Sequence, residues 1–220
     1  MGVKFLSHLI DQNTPSYGNR NPFICEPKRR IEKGDRANDS FLHLSAHLGT
    51  HLDFPLHFYS EGQSIEDFSD DFWLFTKPEI IEIEPENLII EQEIINKFSK
   101  ISKQVDCLII KTGICHRRES QDFWENNYGF SPKLAGLLRE NFKKLKIFGF
   151  DSISLSSFKH RDIGFDAHRA FLDPEKPILI LEDMDLRDVH ESEIFEKLII
   201  APLRISRCDG VPVTVIGLTA

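Results

Sequence analysis

The chain has 220 residues, 40% hydrophobic and 28% charged, with a formal net charge of −8. One domain spanning residues 1–220 is expected, because single domains reach about 200–250 residues and bury about 70% of the unfolded surface at this size. The acidity excludes nucleic acid and anionic membranes as expected partners, since both call for basic patches.

At the N-terminus, Met1–Phe5 lacks an apolar signal core, and Leu6 stands where a myristoylation motif needs Ser or Thr. No apolar run approaches the ~18 residues of a membrane span, so a cytoplasmic location is expected. Residues 10–40 are rich in Asn, Pro, Gly and charge and read as irregular structure. Strands are predicted over Glu79–Glu84 and Val105–Lys111, with a helix between them on the spacing Ile90, Ile94, Ile95, Phe98, Ile101. Ser131-Pro132 opens a second helix that runs to about Lys144, with Ser as N-cap. Lys146–Phe150 forms the next strand and enters a turn over Asp151–Ser157. Ile178–Leu181 is a short buried strand. Leu198–Ile205 and Val211–Leu218 flank Asp209-Gly210, a favourable hairpin turn. The four cysteines, Cys25, Cys107, Cys115 and Cys208, lie far apart and form no C-x-x-C pair, which fits neither a disulfide framework nor a zinc ribbon. These elements define a mixed α/β fold without specifying a strand order.

The chemistry concentrates in His47-Leu48-Gly49-Thr50-His51-Leu52-Asp53-Phe54-Pro55-Leu56-His57. The odd positions carry His47, His51, Asp53 and His57, while the even ones carry Leu48, Leu52, Phe54 and Leu56. In an extended chain these sets fall on opposite faces. A helix separates Asp53 from the histidines, and Gly49 and Pro55 oppose helix. A straight strand also fails, because it holds His47 and Asp53 about 20 Å apart, against the ~4 Å between two ligands of one ion. The chain must therefore bend, and Gly49 permits the bend. Two imidazoles and a carboxylate are a ligand set of catalytic zinc that leaves a position open for water, and His57 remains for proton transfer. The apolar even face is expected to pack, with Phe54, Phe58, Phe72 or Trp73 as candidates for the pocket wall.

His47–His57 matches H-x-G-T-H-x-D-x-P-x-H at every specified position. The chain thereby resembles the metal-dependent cyclase family, which includes bacterial kynurenine formamidases and isatin hydrolases. Further resemblance lies in Lys33-Gly34-Asp35, Lys111-Thr112-Gly113, Gly129-Phe130-Ser131-Pro132 and Gly149-Phe150-Asp151. It continues through Ala167-His168-Arg169, Glu182, Pro202-Leu203-Arg204 and Asp209-Gly210-Val211-Pro212. On the residues alone, His168 reads equally as a surface helix histidine or as a ligand. The resemblance implies that His47, His51 and Asp53 ligate a metal, that Asp53 bridges two ions, and that His168 and Glu182 supply the second site, with His57 as catalytic acid/base. Asp183 and Asp185 stand as alternatives to Glu182. The implied cofactor is Zn²⁺, or alternatively Mn²⁺, as one or two ions. The implied architecture is a swivelling β/β/α (cyclase-like) domain that assembles as a homodimer or higher homo-oligomer. The expected reaction is hydrolysis of a C–N bond in a small-molecule amide, formamide or lactam. A cyclase or lyase acting on a carbonyl, and a metal-binding protein without turnover, are the alternatives. Where related formamidases carry a Trp-Pro-Gly-Asp-like stretch that helps hold an aromatic substrate, the nearest equivalent here is Thr14-Pro15-Ser16-Tyr17-Gly18, with Tyr17 and no Trp. That departure bears on kynurenine-type specificity rather than on hydrolysis.

Overall fold

The apolar runs of the central third become parallel strands, while the two ends of the chain contribute antiparallel ones. The computed structural model describes residues 2–219. Its first part contains β1 (Gly2–Phe5), a hairpin of β2 (Ile24–Arg29) and β3 (Asp39–His43), then β4 (His51–Asp53) and β5 (Leu74–Phe75). The central part begins with β6 (Pro78–Glu82), β7 (Ile89–Ile90), α1 (Gln92–Ile95) and β8 (Cys107–Lys111). It continues through α2 (Asp122–Glu125), β9 (Gly129–Phe130), α3 (Lys133–Asn141), β10 (Ile147–Phe150), α4 (Arg161–Phe171) and β11 (Leu179–Glu182). Two long strands, β12 (Phe195–Pro202) and β13 (Gly210–Thr219), close the chain.

The main sheet runs β5-β12-β13-β4-β11-β10-β8-β6, with β1 added against β13. Strands β6, β8, β10 and β11 are mutually parallel. Every residue of β8, β10 and β11 is buried, as expected where helical crossovers cover the sheet. The remaining pairings are antiparallel. The expected mixed α/β class is therefore the one observed. Among the described residues no helix is long and apolar enough to cross a membrane.

Three local expectations change. The helix over 90–101 breaks into α1 and a 3-10 turn at Phe98–Lys100, because Ile89 and Ile90 pair with Gly129 and Phe130 as a parallel ladder. The β-branched pair favours a strand once a partner edge is present; Ile90, Ile94 and Ile101 are buried all the same. Helix α3 stops at Asn141 rather than near Lys144, and Phe142 turns into the core. It starts at Lys133 with Pro132, rather than the expected Ser131, at the N-cap position, and the Ser131 hydroxyl accepts the Lys133 N–H at 3.3 Å. Finally, Asp209-Gly210 is no two-residue hairpin tip. Residues 203–209 loop out of β12, and Gly210–Pro212 pair with β4 instead.

Strand β4 thus lies between β11 and β13. The even face packs as expected, with Leu48, Leu52 and Phe54 fully buried. On the odd face His47 and His57 are half-buried, whereas within β4 itself the groups are buried, with His51 3% and Asp53 1% exposed. These ionisable groups face the interior of the molecule, so each needs a charged or hydrogen-bonding partner.

Candidate metal centre

Gly49 makes the bend that the sequence requires, with φ of +65°, a conformation few other residues adopt. The turn folds His47 back onto β4, so that its Nδ1 lies 2.8 Å from Asp53 Oδ1. Beyond β4, Pro55 opens a 3-10 turn over Pro55–His57, and Pro at that position fits because its φ is already set. In the antiparallel register Glu182 of β11 stands directly opposite His51, where side chains on one face of a ladder meet. His168 arrives on α4, whose buried stripe is Gly164, Ala167, His168 and Phe171, the i, i+3, i+4, i+7 face of a helix.

The backbone fixes two of the imidazoles. A carbonyl only accepts, so His51 Nδ1 donates to the Gly49 carbonyl at 2.8 Å, and His168 Nδ1 donates to that of Gly164 at 2.8 Å. Both rings therefore present Nε2 inward. His51 Nε2 lies 3.2 Å from Glu182 Oε2 and 3.5 Å from Asp53 Oδ1. His168 Nε2 lies 3.4 Å from Asp53 Oδ2 and 3.5 Å from Glu182 Oε1. The two carboxylates are thus shared, one oxygen of each facing each histidine. His47, Asp53 and His57 form a second close group beside the cluster of His51, Asp53 and Glu182. Glu182, expected beside His168 alone, faces both histidines, and its Oε1 also accepts the Leu155 N–H at 2.6 Å.

Burial and mutual charge act in opposite directions on these groups. Burial works against the His47 imidazolium, but Asp53 and Asp209 outweigh it and hold its pKa up at about 11. For His168 burial again opposes the charge, and Asp53 with Glu182 raises the pKa to about 10. His51 is raised too, against its burial, by Glu182 and then Asp53. Burial pushes Asp53 upward, yet His47, His57 and His168 hold it well below the usual carboxylate range. The cluster is built to keep positive charge between its carboxylates.

A divalent cation fits this arrangement. His51 Nε2 is buried and makes no hydrogen bond, a costly state for a ring nitrogen unless something else engages it. The 3.2–3.5 Å separations among imidazole and carboxylate atoms match the roughly 3.3 Å between ligands that each lie about 2.0–2.1 Å from one tetrahedral ion. Asp183 and Asp185, the alternatives to Glu182, are engaged elsewhere. Arg118 grips Asp183 with two bonds of 2.8 and 2.6 Å, and Arg187 holds Asp185 at 2.8 Å.

The cluster lies at the floor of a cavity of about 290 Å³ whose walls include Tyr17, Arg20, Phe58, Phe165, Ser154 and Ser156. The Tyr17 hydroxyl is buried without a hydrogen-bond partner. Of the four aromatics proposed for the wall, Phe58 is there, stacked on His168 with centroids 4.8 Å apart. Phe54, Phe72 and Trp73 pack into the core instead. Asp209 is the residue that sequence reasoning missed: its Oδ2 lies 2.8 Å from His47 Nε2 and 3.1 Å from His57 Nδ1. The sequence marks it as a turn acid before a glycine and as part of the resembling stretch Asp209–Pro212, with no role attached.

A mixed sheet whose central antiparallel strand carries a buried histidine–carboxylate cluster defines a cyclase-like fold with a candidate cation centre. The profile of the family described as putative cyclase matches residues 5–157, and the chain belongs to that family. It is 26% identical over 209 residues to the kynurenine formamidase of Bacillus cereus, covering 94% of this chain and 93% of that protein. To Cyclase-like protein 2 of Oryza sativa subsp. japonica it is 27% identical over 219 residues, covering 94% of this chain and 76% of the relative. In fold it resembles isatin hydrolase A from Labrenzia aggregata, with a TM-score of 0.82, 20% identity, and coverage of 100% of this chain and 94% of the other.

Proposed function

We propose that this chain is a metal-dependent hydrolase of a C–N bond in a small amide, formamide or lactam. The observation that carries the reading is the pair of shared carboxylates, Asp53 and Glu182, each turning one oxygen towards His51 and the other towards His168. The residues that would hold the cation are His47, His51, Asp53 and Glu182, with His168, Asp53 and Glu182 serving a second ion. Zn²⁺ suits this set, and Mn²⁺ accepts the same ligand types. Such an ion supplies a Lewis acid that polarises a carbonyl and makes water acidic enough to ionise near pH 7.

The chain's own groups do the rest. His57 Nδ1 donates to Asp209, which leaves Nε2 as its free nitrogen in the cavity wall. From there His57 takes the proton of the attacking water and returns it to the departing nitrogen, a task suited to imidazole. Phe58 and Phe165 exclude water from one side. The unpartnered Tyr17 hydroxyl offers a donor to a polar group of the substrate. The kynurenine formamidase relative and the isatin hydrolase neighbour, both named for cleaving such bonds, support this reaction class.

The test is chelation and reconstitution. Purified protein is assayed against N-formyl and cyclic amides in labelled water, stripped of metal, and reloaded with Zn²⁺ or Mn²⁺. Hydrolysis that disappears with the metal and returns with it, placing label in the product, is expected. Undiminished hydrolysis in the stripped protein refutes the mechanism, and turnover without label incorporation replaces hydrolysis with a cyclase or lyase reaction.

A further inference from the structure

We infer that Asp209 is a positioning residue that locks His47 and His57 into register through one carboxylate oxygen. The inference rests on the proposed roles of those two histidines. A carboxylate only accepts, so Oδ2 receives the His47 Nε2–H at 2.8 Å and the His57 Nδ1–H at 3.1 Å. One group thereby fixes which nitrogen each ring presents to the cavity: Nδ1 of His47, facing Asp53, and Nε2 of His57. The rings lie against each other with centroids 4.2 Å apart and an interplanar angle of 32°, and the shared acceptor sets that arrangement.

Asp209 is itself held by the strand that carries the other groups. Its carbonyl accepts the Phe54 N–H at 2.9 Å, and Gly210 pairs in register with Asp53. The backbone runs so close to the His47 ring that a Cβ at Gly210 would lie 2.5 Å from Cε1. The carboxylate is therefore fixed relative to β4 even though its side chain is 43% exposed. That exposure separates this role from core packing. Exposed ion pairs contribute little on average, about 0–1 kcal/mol, so an Asp209 with no task beyond charge pairing could be replaced with little consequence. Outer carboxylates that orient ligand imidazoles behave differently, and their loss costs about 10–100-fold in metal affinity or activity.

The experiment uses the full chain as wild type, Asp209→Ala, the isosteric Asp209→Asn, and Asp209→Glu. Zinc affinity is measured by competition with a chromophoric chelator, and histidine side-chain ¹⁵N resonances are recorded for the zinc-loaded protein. Asp209→Ala is expected to weaken zinc binding by about 10–100-fold and to shift the resonances of both His47 and His57 while leaving His43 and His160 in place. Asp209→Asn follows in the same direction, and Asp209→Glu recovers part of the affinity. At saturating zinc, kcat falls while KM stays within about 2-fold, the pattern of a group that acts on the reacting residues rather than on substrate binding. Wild-type zinc affinity in Asp209→Ala, or an unshifted resonance for either histidine, overturns the inference. The affinity and resonance measurements need no substrate, so an inactive wild type would refute the hydrolase reading and leave this test standing.

Discussion

Helices α3 and α4 each carry one interior glycine, Gly136 and Gly164, and replacing them with alanine should have opposite effects. In an exposed helix interior Gly→Ala gains about 0.8–1.0 kcal/mol from backbone propensity. A Cβ at Gly136 meets nothing within 4 Å, so Gly136→Ala should raise stability by about that amount. At Gly164 the added methyl would lie 2.0 Å from Ser156 Oγ, 2.3 Å from its Cβ and 2.6 Å from its Cα. Carbon contacts settle at about 3.5–4.0 Å, and the nearest backbone atom cannot rotate aside, so α4 must retreat from the Asp151–Ser157 turn by about 1 Å. Overpacking of this kind costs about 1–3 kcal/mol, which cancels or exceeds the propensity gain. The two variants should therefore differ by about 1–3 kcal/mol in denaturant titrations, or by roughly 2–12 °C in Tm at about 2–4 °C per kcal/mol. Function is affected as well, because the Gly164 carbonyl holds His168 Nδ1. Gly164→Ala should lower zinc affinity although no ligand has been changed, whereas Gly136→Ala should leave it alone. Equal stability and equal zinc affinity in the two variants would show that the packing of α4 does not set the position of His168.

Glu182→Gln keeps the shape of the side chain and removes the charge shared between His51 and His168. Zinc affinity should fall by more than the ~100-fold upper range for outer partners, at both ions together, and calorimetry that still counts wild-type stoichiometry at wild-type affinity would exclude a shared ligand. His57→Ala should retain metal in elemental analysis while turnover drops by about 10²–10⁴-fold; loss of metal would make His57 a ligand. In the metal-free protein, His47 at about 11 and His168 at about 10 are raised from 6.5. Their contribution to stability is complete below about pH 6.5 and declines as pH rises towards those values. Asp53, Glu182 and Asp209 are depressed, so their contribution is present at neutral pH and is lost on acidification. A cation competes with the histidine protons, so the gain in Tm on adding zinc should be larger at about pH 9 than at about pH 6. A gain independent of pH would show that no protons are displaced.

The residues of the motif determined a good deal by themselves. Alternation at period two is a local property of an extended chain, so it placed His47, His51 and Asp53 on one side and Leu48, Leu52 and Phe54 on the other. The need for a bend at Gly49 followed from length alone, and the observed φ of +65° supplies it. Continuous apolar runs likewise marked β8, β10 and β11 as strands, the last of them as buried. What local pattern could not carry is register between distant segments. Only the pairing of β11 with β4 sets Glu182 opposite His51, and only the packing of α4 brings His168 to the same carboxylates. Burial of Asp53 and His51 was undecided for the same reason, because it depends on what packs over that face of β4, including α4 with His168. Asp209 shows the limit most clearly. An acid before a glycine has the chemistry of a turn, and it became the partner of His47 and His57 because Gly210 pairs with Asp53 rather than closing a hairpin.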